Sequence, residues 1–367
     1  MSKNSKIVVC YLSEANADWG GASRVLFTNI RLLDRDKIEP IVLLPSLGPI
    51  TTLLDELNVR YLPWGRPHEP HGLIEYIGNI INSMRFYLRE KIDILHVNHA
   101  SLWRPAEALA ARMLKIPVIS HFHYVMSTTT PFTRKASLAI AVSEFVARSS
   151  MPTNIPKQVI HNVVSLDRFA QAHDIRHILS VSDQEVMITF IGQIRDIKGV
   201  DLFIELAYKL ADNKVKFFLV GECRDPLQYE GSYLKSDLLK KISGNPHIIY
   251  LGYRGDIEDI YKSSDIIIIP SRLDEPFGLT AIEAGASGKP VVCSGAGGLP
   301  EIVTHGENGF LFKVGDLAEL AKYTRALIDS AQLRKKMGSR GLQVVREKFT
   351  TQPIRELEKL YERLARN

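Results

Sequence analysis

The chain has 367 residues, enough for two domains of ordinary size. Hydrophobic residues make up 45% and charged residues 24%, and no apolar run approaches the ~18 residues of a membrane-spanning helix. This excludes a disordered chain, a collagen-like repeat and a small disulfide scaffold. The net charge is +5, and the whole excess lies within residues 1–168, since residues 169–367 balance. So modest a bias fits an anionic ligand or membrane surface, or nothing in particular.

In chain order, short β-branched runs alternate with helix-like periodicity. Strands are expected at 7–11, 41–44, 94–97, 117–120 and 138–142, with helices over 22–33, 72–90 and 103–114. A polar, His-rich stretch, 165–184, reads as a linker with a short helix. The alternation then restarts, with strands expected at 186–191, 217–220, 248–251, 266–269 and 291–293. Near-continuous apolar strands between helices mean parallel sheets covered on both faces. The expected fold is α/β: two doubly wound Rossmann-like domains, 1–168 and 169–348, facing across a cleft. Residues 349–367 form a C-terminal amphipathic helix, with Ile354, Leu357, Leu360, Tyr361 and Leu364 on one side, which needs a partner surface. The stretch Ile77-Ile80-Ile81-Met84-Leu88, with Arg85 and Arg89 beside it, reads equally as a core-facing helix or as one facing a membrane.

Cys10, Cys223 and Cys293 are odd in number and far apart, which fits a reducing compartment. The N-terminal apolar core is too short for a secretory signal and acids follow it. The expected location is the cytoplasm, with peripheral contact at the inner face of the cell membrane.

Several common chemistries are missing. The segment after the first strand, LSEANADWGGAS, is no G-x-G-x-x-G. Gly285 to Lys289 is too short for a P-loop, and Pro290 stands where Ser or Thr is needed. There is no G-x-S-x-G, C-x-x-C or H-E-x-x-H. Asp34-x-Asp36 resembles a metal-binding D-x-D, but its place between a helix and a strand suits a solvated turn. His121 and His123 share a face at a strand end, and with no further ligand cluster no zinc site is expected.

Open α/β sheets bind ligands beyond the carboxyl ends of their strands. Four segments lie there. Gly20-Gly21 follows the first strand and opens a helix, either as a tight turn or as a backbone that approaches an anion closely. Gly192-Gln193-Ile194-Arg195-Asp196-Ile197-Lys198-Gly199 puts a cation after a strand, where a phosphate or plain solvent would meet it. Gly295 to Glu301 is glycine-rich, a flexible turn or a ligand cradle. Glu275-Pro276-Phe277-Gly278-Leu279-Thr280-Ala281-Ile282-Glu283 carries two carboxylates eight residues apart, the first in a loop and the second one turn into a helix. A carboxylate takes two sugar hydroxyls, and amides at a helix start suit a phosphate. A surface acid at a helix start accounts for Glu275, but not for Glu283 among alanines and glycines.

The segments together resemble the retaining GT-B glycosyltransferases, specifically glycosyltransferase family 4. The resemblance rests on Gly20-Gly21, His123 six residues after Pro117, AVSEF (141–145), VIHNVVSLDRF (159–169), the G-x5-K-G of 192–199, VGE (220–222), LGYRGD (251–256), Pro270-Ser271 before EPFGLTAIEA (275–284), GGLPEIV (297–303) and NGFL (308–311). It implies that the N-terminal domain binds the acceptor and the C-terminal domain a nucleotide-sugar donor, with the last helix crossing back to the first domain. It implies that Glu283 holds the ribose hydroxyls and Glu275 the donor sugar. Phe277, Gly278 and Leu279 would meet phosphate and sugar through their amides. Lys198 would neutralise the diphosphate, with Gly21 contacting it, and His123 would sit beside the sugar. Base recognition would run near Tyr253 and Arg254. The family's arginine after Gly192 is here Gln193, with Arg195 as a stand-in, and its Asn-Gly pair reads Asn162-Val163.

The expected reaction is transfer of a hexose from a UDP- or GDP-sugar to a glycan or lipid-linked acceptor, in bacterial surface polysaccharide or glycolipid synthesis. The anomeric configuration is retained, with no cofactor and no metal, because protein cations and amides carry the charge. Expected partners are the donor, the acceptor and, through the basic first half, an anionic membrane surface, with no nucleic acid. The competing functions are a sugar-nucleotide epimerase or phosphorolytic enzyme on the same fold, and a non-catalytic nucleotide-sugar-binding protein.

Overall fold

A computed structural model of the chain describes residues 6–13, 21–64, 72–99, 105–126, 133–150, 154–210, 212 and 214–366. They divide into two compact units, residues 1–163 with 351–367, and residues 164–350.

The first unit runs β1 (Ile7–Leu12), α1 (Gly21–Leu32), β2 (Ile38–Leu44), α2 (Ile50–Glu56), β3 (Arg60–Pro63), α3 (Leu73–Glu90), β4 (Ile94–Val97), α4 (Pro105–Met113), β5 (Val118–Phe122), β6 (Leu138–Ala141), α5 (Glu144–Ser150) and β7 (Lys157–Val159). The strands form one parallel sheet in the order β3-β2-β1-β4-β5-β6-β7. Alternation along β1 sends Val9 and Tyr11 to one face and Cys10 and Leu12 to the other, and both faces are buried. Leu26, Phe27 and Ile30 of α1 cover the first face. Phe86 and Tyr87 of α3, with Ala110 and Ala111 of α4, cover the second.

The second unit runs α6 (Leu166–Ala170), β8 (Val186–Ile191), α7 (Val200–Leu210), β9 (Val215–Val220), α8 (Lys235–Ile242), β10 (Ile248–Gly252), α9 (Ile257–Ser263), β11 (Ile266–Ile269), α10 (Leu279–Ala286), β12 (Val291–Ser294), β13 (Gly309–Phe312), α11 (Leu317–Asp329) and α12 (Ala331–Lys348). Its sheet is again parallel, ordered β10-β9-β8-β11-β12-β13. Phe190, Phe203 and Phe217 interlock in its core at ring separations of 5.7 and 5.8 Å. Asp316 and Ser330 cap α11 and α12, accepting from the amides of Glu319 and Leu333.

The last helix, α13 (Thr351–Ala365), belongs to the first unit. Ile354, Leu357, Leu360 and Tyr361 are buried against β1, α1 and β4, so the stripe read as unpartnered completes the first core. The division falls at 163/164 rather than 168/169, because Phe169 of α6 packs edge-on against Tyr261 of α9, 5.9 Å away.

Three strands escaped the sequence reading: β3, β7 and β13. All are sheet edges, and β3 and β7 are largely exposed, so they lack the apolar run that marks a central strand. Helix α3 divides the two readings of its sequence. Ile80 and Met84 pack on the core, whereas Leu73, Ile74, Ile77, Ile81 and Leu88 are exposed, Ile74 at 89%. The D-x-D is a solvated turn: Asp34 Oδ1 accepts from the Asp36 amide, and Oδ2 pairs with Lys37.

Candidate active site

Each sheet reverses its strand order once, between β1 and β4 in the first unit and between β8 and β11 in the second. The carboxyl ends of those strand pairs are where an open α/β sheet leaves room for a ligand.

In the second unit, glycine contacts build that end. Gly199 has φ +73°, and a Cβ there would lie 1.9 Å from the Pro270 carbonyl oxygen. Only glycine lets the turn after β8 press this closely on the end of β11. The Arg272 amide donates to the Ile197 carbonyl across the same contact, at 2.9 Å. Lys198 is thereby set beside the chain that follows β11. Its Nζ donates to Glu275 Oε1 at 2.6 Å, and Ser271 Oγ donates to the same oxygen at 2.5 Å. Both members of the ion pair are partly buried.

Gly278 precedes α10 at φ 115°, with the Leu299 side chain 2.7 Å from where a Cβ would stand. Gly297 and Gly298 pack directly on the Glu275–Phe277 backbone. A Cβ on Gly297 would lie 2.2 Å from the Glu275 carbonyl oxygen, and the Gly298 amide donates to that oxygen at 2.7 Å. They brace the backbone of Glu275 and Phe277 from behind. Phe277 is buried against Phe349, 5.8 Å away. Leu279 opens α10, and because the Ala281 amide already donates to the Gly278 carbonyl at 2.9 Å, the amides of Leu279 and Thr280 are the ones at this helix start with no intrahelical acceptor.

Glu283, one turn into α10, is 6% exposed and accepts from the Tyr261 hydroxyl at 2.8 Å. Tyr261, on α9, gave no signal in the sequence, because the pairing joins two helices. Gln193 is exposed. Arg195 donates twice, from Nε and Nη2, to the Glu230 carbonyl. Its guanidinium therefore also orders a loop, where the sequence reading had it standing in for the family arginine. Arg254 grips Asp256 with two bonds, at 2.8 and 2.5 Å, and Tyr253 is exposed.

In the first unit, Gly20 lies outside the described residues and Gly21 opens α1. Asn98, after β4, joins this helix start to His123, after β5. Its Nδ2 donates to the Ala22 carbonyl at 3.2 Å, and its Oδ1 faces His123 Nε2 at 3.3 Å. The amide orientation makes His123 Nε2 the donor, which leaves Nδ1 of the neutral ring as an acceptor. Burial, then His121 and His99, hold the His123 pKa well below its ordinary value. Asn98 is a site candidate that the sequence reading passed over; HVNH at a strand end was the available signal.

Behind His123 lies a buried polar chain. His121 stacks on it at 4.1 Å, with 30° between the planes. His121 Nδ1 meets His96 Nε2 at 3.1 Å, His96 Nδ1 meets the Tyr361 hydroxyl at 2.7 Å, and that hydroxyl meets the Tyr11 hydroxyl at 2.8 Å. Burial, aided by His123, pushes the His96 pKa down to about 3, and burial, aided by His96, lowers that of His121. Elsewhere in this unit, a cavity of about 670 Å³ is lined by Trp64, Asn79, Asn82, Arg85, Phe86 and Glu107 among others.

Comparison with known proteins agrees with this architecture. The family model "Glycosyltransferase Family 4" matches residues 19–168, and "Glycosyl transferases group 1" matches residues 172–344. The chain is 26% identical over 345 residues to the UDP-Gal:α-D-GlcNAc-diphosphoundecaprenol α-1,3-galactosyltransferase of Escherichia coli, with 86% of each chain covered. It is 25% identical over 286 residues to the N-acetyl-α-D-glucosaminyl L-malate synthase of Bacillus anthracis, covering 72% of this chain and 73% of that one. Among solved structures, Anabaena HepE in complex with UDP and glucose superimposes with a TM-score of 0.78 at 22% identity, covering 97% of this chain and 99% of that one. Two doubly wound parallel-sheet units with these matches define a glycosyltransferase of the GT-B fold. The chain belongs to glycosyltransferase family 4.

Proposed function

We propose that this glycosyltransferase moves a hexose from a UDP- or GDP-sugar to a glycan or lipid-linked acceptor, with retention, in bacterial surface polysaccharide or glycolipid synthesis. The observation that carries this reading is the Lys198–Glu275–Ser271 cluster at the β8/β11 reversal, next in sequence to the start of α10. In the reaction, the bond from the anomeric carbon to the diphosphate oxygen breaks, and the acceptor oxygen bonds to that carbon on the same face. The acceptor proton passes to the leaving phosphate oxygen. Negative charge grows on the diphosphate, and the Lys198 ammonium and the amides of Leu279 and Thr280 that open α10 stabilise it. Glu275 accepts hydroxyls of the donor sugar, Glu283 accepts those of the ribose, and His123 Nδ1 accepts a hydroxyl of the sugar.

Three further features fit this reading. HepE is described in complexes with UDP, with UDP and glucose, and with UDP-glucose, and the E. coli relative is named for a UDP-galactose donor. The cavity lined by Trp64, Asn79 and Asn82 offers an indole to sugar C–H groups and side-chain amides to hydroxyls, which suits a saccharide acceptor. The exposed apolar residues of α3, with Arg85 and Arg89, suit contact with an anionic membrane. No helix among the described residues is long and apolar enough to cross one.

A thermal-shift panel of UDP-, GDP- and ADP-sugars tests the donor, since binding raises the melting temperature. Glu283→Ala is expected to abolish the shift; an unchanged shift refutes the ribose assignment. Turnover is expected to survive EDTA, and loss with recovery on added manganese refutes the metal-free reading. Sedimentation with anionic liposomes at low salt tests the membrane contact, which fails if the protein stays in the supernatant.

A further inference from the structure

We propose that Tyr361, on the C-terminal helix, is a positioning residue for His123, acting through His96 and His121 by fixing which nitrogen of each ring carries the proton. The proposal deepens the reading of His123 as a donor-sugar contact and rests on it.

The direction of the chain follows from counting donors. Four side chains, Tyr11, Tyr361, His96 and His121, make three consecutive hydrogen bonds. They are buried, and both histidines are neutral, so each ring has one N–H and one acceptor nitrogen. Only two arrangements give every link a single proton. In the first, Tyr11 donates to Tyr361, Tyr361 to His96 Nδ1, and His96 Nε2–H to His121 Nδ1. The His121 proton is then on Nε2, the one group left without a partner. In the second, every bond reverses. The Tyr11 hydroxyl proton then has no acceptor among the described residues, and His121 Nε2 is an unmatched acceptor as well. A buried polar group left unsatisfied is costly. The first arrangement leaves one and the second leaves two, so the first prevails.

Tyr361 is the link that sets this polarity. Among the described residues it is the one donor in reach of His96 Nδ1, and it fixes the proton of His96 on Nε2, which in turn fixes that of His121 on Nε2. His121 then presents a single orientation of its ring dipole to His123, which stacks on it at 4.1 Å. Without the Tyr361 hydroxyl, both rings interconvert between tautomers, and the field on His123 alternates with them. Tyr11 lies one step outside, since Tyr361 donates to His96 whether or not Tyr11 donates to it.

The test uses the full-length protein labelled with ¹⁵N-histidine, with tautomers read from long-range ¹H–¹⁵N correlations at pH 7.5. In the wild type, His96 and His121 are both expected as Nε2–H. Tyr361→Phe is expected to give mixed tautomers at both rings and to lower kcat about 3- to 10-fold, the scale of one net hydrogen bond, with the donor KM unchanged within about twofold. Tyr11→Phe is expected to leave both tautomers as in the wild type. A purely structural Tyr361 would lower the melting temperature and move neither tautomers nor kcat. Nδ1–H at either ring of the wild type overturns the direction of the chain, and needs no variant to fold. Unchanged tautomers, or unchanged kcat, in Tyr361→Phe overturns the proposal. Failure of the underlying reading looks different: His123→Ala with full kcat, or a wild type that turns over no nucleotide-sugar, refutes the assignment of His123 whatever the tautomers show.

Discussion

Lys198 and Glu275 hold one another at 2.6 Å with Ser271 on the same oxygen, so each side chain arrives at the site with its orientation already set. Lys198→Ala should lower kcat by about 10²- to 10³-fold, the scale of losing one preorganised donor to a growing negative charge. Its melting temperature should change little, because a partly exposed pair contributes about 1 kcal/mol or less. Steady-state kinetics beside a thermal melt separate the two effects. Tyr261→Phe should weaken donor binding about tenfold, since the Glu283 carboxylate loses a charged hydrogen bond worth about 1.5–3 kcal/mol; a donor titration checks it. The buried histidines set a pH limit. His96 and His121 are neutral when folded and have depressed pKa values, so their contribution is complete above the unfolded value of about 6.5 and is lost as pH falls below it. Between that value and about 4, the first unit should lose about 1.4 kcal/mol per pH unit from His96, with His121 adding to the loss in the same direction. Unfolding midpoints measured from pH 7 to 4 check the slope.

At the scale of the element, the turn chemistry decides the site. Gly199→Ala would put a methyl 1.9 Å from the Pro270 carbonyl oxygen, in a backbone conformation that suits glycine. The turn must then lift away from β11 and carry Lys198 off Glu275. The expected outcome is a loss of activity comparable to Lys198→Ala, with destabilisation of about 1–3 kcal/mol in addition, checked by kinetics and a denaturant melt of the variant. The central strands and the positions of α1, α3, α4 and α10 were legible from β-branched runs and helical period. β3 and β7 were not, because exposed edge strands need no apolar run, and the short apolar β13 (Gly309–Phe312) was passed over as well. Gly297 and Gly298 were visible as part of a turn, but their work of bracing the backbone of Glu275 to Phe277 depends on the contact and not on the spacing.

At the scale of the whole molecule, the chain leaves its first unit at residue 163 and returns to it at 351. Deleting 351–367 removes Ile354, Leu357, Leu360 and Tyr361 from the first core. At about 1.5–3 kcal/mol for each buried side chain, the loss of roughly 6–12 kcal/mol matches the whole stability of a typical domain. The truncated protein should therefore unfold its first unit, while residues 164–350, continuous in sequence, keep a cooperative melt that a nucleotide-sugar raises. Calorimetry with and without donor checks both halves.

Alternation of apolar strands with helices was enough to predict two doubly wound domains, because strand and helix periods are local properties of the chain. Glu275 and Glu283 stood out as candidates because the ends of parallel strands are where such sheets bind, whereas Lys198 became a candidate only through the family resemblance. Residues that act through contacts across the sequence were not legible. Tyr361 meets His96 across 265 residues and Tyr261 meets Glu283 across 22. Asn98 needs Ala22 and His123 at once before its amide has a direction. Spacing specifies neighbours along an element, whereas the proton positions and the braced turns of this site follow from which elements the hydrophobic cores press together.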